Sequence, residues 1–123
     1  MPNKQEYLEF VMDWLAPAGE ISARRMMGGH VLYCDGIVFA LLSHNTLYLK
    51  VDEVNRPRFE ALRLEPFRPF PNKPSAMQYY PPPAEFFEDS GTMADWARES
   101  VAAGRRTQTK SKKPSRSASR RTR

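Results

Sequence analysis

The sequence holds 123 residues, which is enough for one domain with a single hydrophobic core. Its hydrophobic fraction of 41% and charged fraction of 27% are ordinary for a soluble globular protein. No apolar run approaches the roughly 20 residues that a membrane-spanning helix needs, and the N-terminus shows no secretory signal. A single cysteine excludes an internal disulfide and a CxxC metal site, so we expect a reduced, cytoplasmic protein without membrane contact.

The net charge of +5 hides two regions of opposite sign. Residues 104–123 contain nine of the 19 lysine and arginine residues and no acidic residue. Residues 1–103 therefore carry ten basic groups against 14 acidic groups. We predict a mildly acidic domain over residues 1–103, followed by a basic segment over residues 104–123.

The first predicted element is an amphipathic helix. Five apolar residues recur at the spacing of one helical face: Tyr7, Phe10, Val11, Trp14 and Leu15. Acidic residues lie between them, and Pro17 and Gly19 end the pattern.

Four short strands are predicted after this helix, near residues 21–27, 30–34, 37–42 and 46–51. Asp35-Gly36 is the best two-residue hairpin turn among the connections. We interpret Gly28-Gly29 as a turn or bulge, because the pair leads into a strand and lacks the following lysine of a phosphate-binding loop.

The second half of the domain predicts further helices and strands. A second helix is expected over residues 55–64 with Asn55 as its cap, and two short strands near residues 66–70 and 76–80. A last helix is expected to be capped near Thr92, and its buried stripe is Met93, Trp96, Ala97 and Val101. The order α-β(3–4)-α-β(2)-α predicts the α+β class, with an antiparallel sheet and helices in two layers.

Two-residue turns at Asp35-Gly36 and at His44-Asn45 would form two hairpins and assign each strand residue to one face of the sheet. On that register the core face holds Val31, Tyr33, Val38, Ala40, Leu42, Leu47, Leu49 and Val51. The opposite face is apolar but carries polar groups, and we predict it to be the main interaction face, with Leu32, Ile37, Phe39, Leu41 and Tyr48. The C-terminal segment, a second subunit or another partner would cover it. A one-residue slip in either hairpin would exchange the faces.

The basic segment has no aliphatic or aromatic residue larger than alanine, so we predict it to be disordered. It is interpreted as a solubilising tail, as an arm that neutralises nucleic-acid phosphates without sequence preference, or as a nuclear-localisation or phosphorylation region. Its predicted phosphate contacts are Arg105, Arg106, Lys110, Lys112, Lys113, Arg116, Arg120 and Arg121.

No residue pattern indicates catalysis. His30 and Cys34 lie four residues apart on a predicted strand, which separates them by about 13 Å and prevents a shared metal or a nucleophile–base pair. We predict no catalytic residue, no metal site and no cofactor. Arg24, Arg25 and Lys50 are candidates for contact with an anion or nucleic acid, and a small-ligand or anion-binding domain is the alternative function.

In combination, the motifs of the domain resemble the TfoX (Sxy) N-terminal domain family over about residues 6–103. The most specific parts are Arg25-Met26, Gly28-Gly29, the hairpin over residues 32–36, LYLKVD over residues 47–52, Asn55-Arg56, Pro66-Phe67, Met77 with Tyr79-Tyr80, and Trp96-Ala97. The resemblance implies the same two-layer α+β fold and provides no catalytic residues.

What the resemblance implies about function is regulatory. Full-length family members are associated with natural competence in bacteria, act with the cyclic-AMP receptor protein at competence-gene promoters, and carry a second, C-terminal domain. The basic segment stands in the place of that domain here. We expect a bacterial, cytoplasmic, non-enzymatic protein linked to competence or transcription regulation. It would act through a protein partner or as a homodimer, with weak nucleic-acid contact through the basic segment.

Overall fold

One antiparallel sheet, with strands in the order β1-β2-β3-β4-β5, forms the centre of the protein. The computed structural model describes residues 4–26, 28–67 and 78–112. Its helices and strands are α1 (Gln5–Leu15), β1 (Ile21–Met26), β2 (Gly29–Cys34), β3 (Ile37–Ser43), β4 (Thr46–Lys50), α2 (Arg56–Ala61), β5 (Tyr79–Tyr80) and α3 (Ser90–Lys112). The predicted α+β class is confirmed. No helix in these ranges is long and apolar enough to cross a membrane.

The helices pack on one face of the sheet and share a single core with it. In α1 the buried residues are Leu8, Val11 and Leu15, which follow one another at i, i+3 and i+7. Phe10, which we predicted to lie in the buried stripe, is 49% exposed. The apolar stripe of α1 is therefore wider than the part that the sheet covers.

A β-bulge between β2 and β3 changes the predicted faces of the sheet. Leu32 pairs with Ala40 and Tyr33 pairs with Val38, so Phe39 has no partner on β2. The extra residue turns Leu32 and Phe39 into the core, where both are fully buried. The predicted interaction face is therefore wrong for these two residues. The predicted core face is wrong for Val31, Tyr33 and Val38, which are only partly buried.

The remaining strands keep the predicted hairpin pairings. Cys34 pairs with Ile37 across the Asp35-Gly36 turn, and Leu42 pairs with Leu47 in the second hairpin. Gly28 precedes β2 with φ of 83°, which supports its interpretation as a turn residue. Of the two strands predicted after the second helix, only Tyr79–Tyr80 is described as a strand. Residues 64–67 have no regular structure, and residues 68–77 lie outside the described residues.

The last helix continues well beyond the predicted end of the domain. Residues 104–112, which we predicted to be disordered, belong to α3, and residues 113–123 lie outside the described residues. Gly104 is buried where α3 crosses β3, and a Cβ atom there would overlap the Val38 carbonyl oxygen and lie 2.8 Å from Ile37 Cγ2. We predicted disorder because this segment has no large aliphatic or aromatic side chain. The contact with β3 does not need one, because α3 approaches β3 closely only where the residue, Gly104, has no side chain.

The start of α3 also differs from the prediction. The Asp89 carboxylate accepts hydrogen bonds from the backbone N–H of Thr92 at 2.8 Å and from its hydroxyl at 2.9 Å, so Asp89 is the cap and not Thr92. Within the helix, the predicted stripe is confirmed for Met93, Trp96 and Ala97, which are buried, whereas Val101 is partly buried.

Candidate interaction surfaces

A bidentate ion pair holds the C-terminal part of α3 against the end of β4. The Arg106 Nη2 group donates to Asp52 Oδ1 at 2.9 Å, and Arg106 Nε donates to Asp52 Oδ2. The side chain of Asp52 is only 17% exposed. The hydrogen bonds from Arg106 are the main reason why the pKa of Asp52 falls to about 2.

Asn55 fixes the loop that presents Asp52 to Arg106. The buried Asn55 side chain accepts from the Asp52 N–H at 2.7 Å and donates to the Lys50 carbonyl at 3.1 Å. Asp52 in turn accepts from the Val54 N–H at 3.0 Å. Asn55 occupies the N-cap position of α2 as predicted, but its side chain makes no capping hydrogen bond. The sequence signal for this loop was the pair Asp52 and Asn55, because both residue types favour side-chain to backbone turns.

We expect the ion pair to make stability depend on pH. An unfolded aspartate has a pKa of about 3.9, so the lowered folded pKa of Asp52 stabilises the protein above that pH. This stabilisation is lost as the pH falls from about 4 towards 2. Because Arg106 is partly exposed, solvent screening reduces the effect, and Arg106→Gln should cost about 1–2 kcal/mol at pH 7 and almost nothing near pH 2.

Urea denaturation between pH 2 and pH 7 measures this difference. Arg98→Gln is the matched control, because Arg98 also pairs with an aspartate on the surface but is far more exposed. A constant difference between Arg106→Gln and the unchanged protein across this pH range would contradict the assignment.

An open depression of about 640 Å³ lies beside the ion pair. It is lined by Asp52, Glu53, Val54, Arg56, Gln78, Arg106 and Thr107. Both signs of charge occur in this lining, and the Arg106 guanidinium is already paired with Asp52. The depression therefore has no marked preference for an anion.

The predicted contacts of the basic segment fall into three groups. Arg105 is exposed and Arg106 is paired with Asp52. Lys110 and Lys112 belong to the last turns of α3. The other four, Lys113, Arg116, Arg120 and Arg121, lie outside the described residues.

The pairing of the strands separates the cations that we predicted as an anion site. Arg24 pairs with Val31 and Arg25 pairs with His30, so the two neighbouring arginines belong to opposite faces of edge strand β1. Lys50 lies on β4, three strand spacings or about 14 Å away. Its ammonium lies 5.0 Å from the centre of the Tyr79 ring, and burial lowers its pKa. These three residues do not converge on one ligand.

The face of the sheet opposite the helices, which we call the outer face, contains a row across four strands. Arg24 pairs with Val31, Val31 with Leu41, and Leu41 with Tyr48. The Phe67 ring packs on Tyr48 with 4.6 Å between the ring centres. Of the predicted interaction residues, Leu41 and Tyr48 lie on this face.

The remaining predicted interaction residue, Ile37, lies on the helix side, so the predicted interaction face is wrong for it as well. The single cysteine also lies on the helix side. Ile37 is partly buried beside Gly104, and Cys34 is almost fully buried. Burial is the main reason why the pKa of the Cys34 thiol is raised, which makes the reactive thiolate scarce. The described residues contain no group of three or more histidine, cysteine or acidic side chains arranged to hold a metal ion.

Comparison with known proteins identifies one family. The family model of the TfoX N-terminal domain matches residues 13–104, which span the last three residues of α1, the whole sheet and α3 as far as its contact with β3. A comparison with curated protein sequences gives no match.

Proposed function

This chain belongs to the TfoX N-terminal domain family, and from that membership we propose that it is a non-enzymatic, regulator-like binding protein. It acts in the bacterial cytoplasm, in competence or transcription regulation, through a protein partner or a second copy of itself. Its basic segment makes weak, sequence-independent contacts with nucleic-acid phosphates.

The observation that carries this proposal is the separation of charge along the chain. Nine basic residues and no acidic residue occupy residues 104–123, whereas the rest of the chain is acidic. The Asp52–Arg106 ion pair attaches the start of this segment to the folded domain, and the neighbouring Arg105 is exposed. Binding of nucleic-acid phosphates to the basic segment is favoured by the release of counterions, whereas the acidic domain repels phosphates.

A salt titration tests the nucleic-acid part of the proposal. We expect the full chain to bind two fluorescein-labelled 20-bp DNA duplexes of unrelated sequence equally, within about twofold. The logarithm of the affinity should fall with the logarithm of the salt concentration by about 0.9 per phosphate contacted. A variant with the six cations from Lys110 to Arg121 changed to glutamine should bind at least tenfold more weakly.

The neutralised variant keeps Arg105 and Arg106, so the docking of α3 is preserved. Arg98→Gln removes a cation from α3 outside the basic segment and is the matched control, with unchanged binding expected. Binding that is insensitive to salt, or equal binding by the neutralised variant, would overturn the nucleic-acid contact.

A further inference from the structure

Four aromatic side chains form a surface patch on α1 and the short 3₁₀ turn at Ala84–Phe87, and we call Tyr7, Phe10, Trp14 and Phe87 the aromatic patch. Phe10 stacks on Phe87 with 5.8 Å between ring centres, and Tyr7 lies 6.2 Å from Phe10. Trp14 lies 6.5 Å from Phe87. Phe10 is 49% exposed, although most phenylalanine side chains are buried.

Contacts beneath the patch hold its rings in place. The Trp14 indole N–H donates to the Phe86 carbonyl at 2.9 Å. The Phe86 side chain is fully buried in the core and meets the Phe87 ring at 5.1 Å, edge to face. A partner would therefore meet a preorganised surface and lose little entropy in ordering it.

Exposed acidic residues lie close to these rings in the sequence. Glu6 and Asp13 lie one helical turn before and after Phe10, and both are exposed. Exposed Glu85 and Glu88 lie on either side of Phe87 in the chain. Residues 5–15 and 84–89 contain no lysine or arginine. The ion pairs seen in the described part of the chain use acidic residues of α3 and the loop after β4 instead.

We propose that the aromatic patch docks a basic amphipathic helix of a protein partner. The apolar face of that helix would cover Phe10 and Phe87, and its lysine and arginine side chains would meet the surrounding carboxylates. Aromatic anchors in a preorganised surface are the usual centres of binding energy. This inference rests on the protein-binding part of the proposed function.

Two other occupants fit the patch less well. Nucleic acid is disfavoured because its phosphates would face four carboxylates, and residues 5–15 and 84–89 supply no cation to offset them. The chain's own residues 113–123 supply positive charge, but apart from Pro114 they contain no apolar side chain larger than alanine to cover the rings. An amphipathic basic helix supplies both the positive charge and the apolar side chains.

The test uses the full chain and a synthetic 18-residue helix of lysine and leucine, with leucine at i, i+3, i+4 and i+7, labelled for fluorescence anisotropy. We expect this peptide to bind, and Phe10→Ala to weaken the binding at least tenfold. Leu62→Ala is the control, because Leu62 is 51% exposed outside the patch, and it should change the affinity by less than twofold. Glu6→Gln combined with Asp13→Asn should reduce both the affinity and its salt dependence.

Several results would overturn the docking site. These are an absence of binding, equal binding of a scrambled peptide with the same composition, and unchanged binding by Phe10→Ala. Displacement of the probe by a synthetic peptide of residues 113–123 at similar concentration would assign the patch to the chain's own segment. DNA binding by Phe10→Ala should equal that of the unchanged protein, so failure here is distinguishable from failure of the nucleic-acid proposal.

Discussion

Replacing Gly104 by alanine is expected to destabilise the protein by about 2–3 kcal/mol, although alanine is the better helix former by about 1 kcal/mol. The added Cβ atom would overlap the Val38 carbonyl oxygen, which belongs to the backbone of a central strand and cannot rotate away. The helix would have to move away from β3, and the buried contacts on both sides would loosen.

Thermal unfolding of Gly104→Ala and Gly91→Ala measures this effect. Both glycines lie in α3, but a Cβ atom on Gly91 would meet only the Asp89 carboxylate, at 3.2 Å, which can give way. The control should therefore melt close to the unchanged protein. A Gly104→Ala variant with an equal or higher melting temperature would contradict the close approach of α3 to β3.

Removal of the Phe39 ring is expected to lower the free energy of unfolding more than any of the other substitutions described above. Phe39 is fully buried at the bulge between β2 and β3, and Phe39→Ala should cost about 3–5 kcal/mol. Phe10→Ala removes the same ring from a half-exposed position and should cost less than about 1 kcal/mol.

Urea denaturation of the two variants compares a core ring with a surface ring of the same chemistry. Similar losses for Phe39→Ala and Phe10→Ala would show that Phe39 is not in the core. In that case the register predicted from the sequence, which has no bulge and places Phe39 on the interaction face, would be correct.

Local sequence patterns were sufficient to predict the class of the fold and the hairpins. Asp35-Gly36 fixes the pairing of Cys34 with Ile37, because few dipeptides adopt the required turn so readily. The bulge at Phe39 was not predictable in the same way. An extra residue cannot be recognised in a run such as IVFALL, because every side chain in the run is apolar and would fit on either face of the sheet.

The functional surfaces were harder to predict because they depend on residues far apart in the chain. Asp52 and Arg106 are separated by 54 positions, and nothing near either residue indicates the other. Phe10 matches the buried stripe of α1 by spacing, and only the position of Phe87 shows that its ring belongs to a surface cluster. Charge was the exception, since the basic segment is visible from composition alone.

The most direct test of the proposed function is a map of backbone amide shifts in the ¹⁵N-labelled full chain during titration with a 20-bp DNA duplex. We predict that the amides of residues 105–123 shift together, that those near Asp52 follow because Arg106 joins them to α3, and that the shifts diminish as salt is added. The outer-face row from Arg24 to Tyr48 and the aromatic patch should not respond. Shifts centred on either of those surfaces, with the basic segment unchanged, would contradict the account.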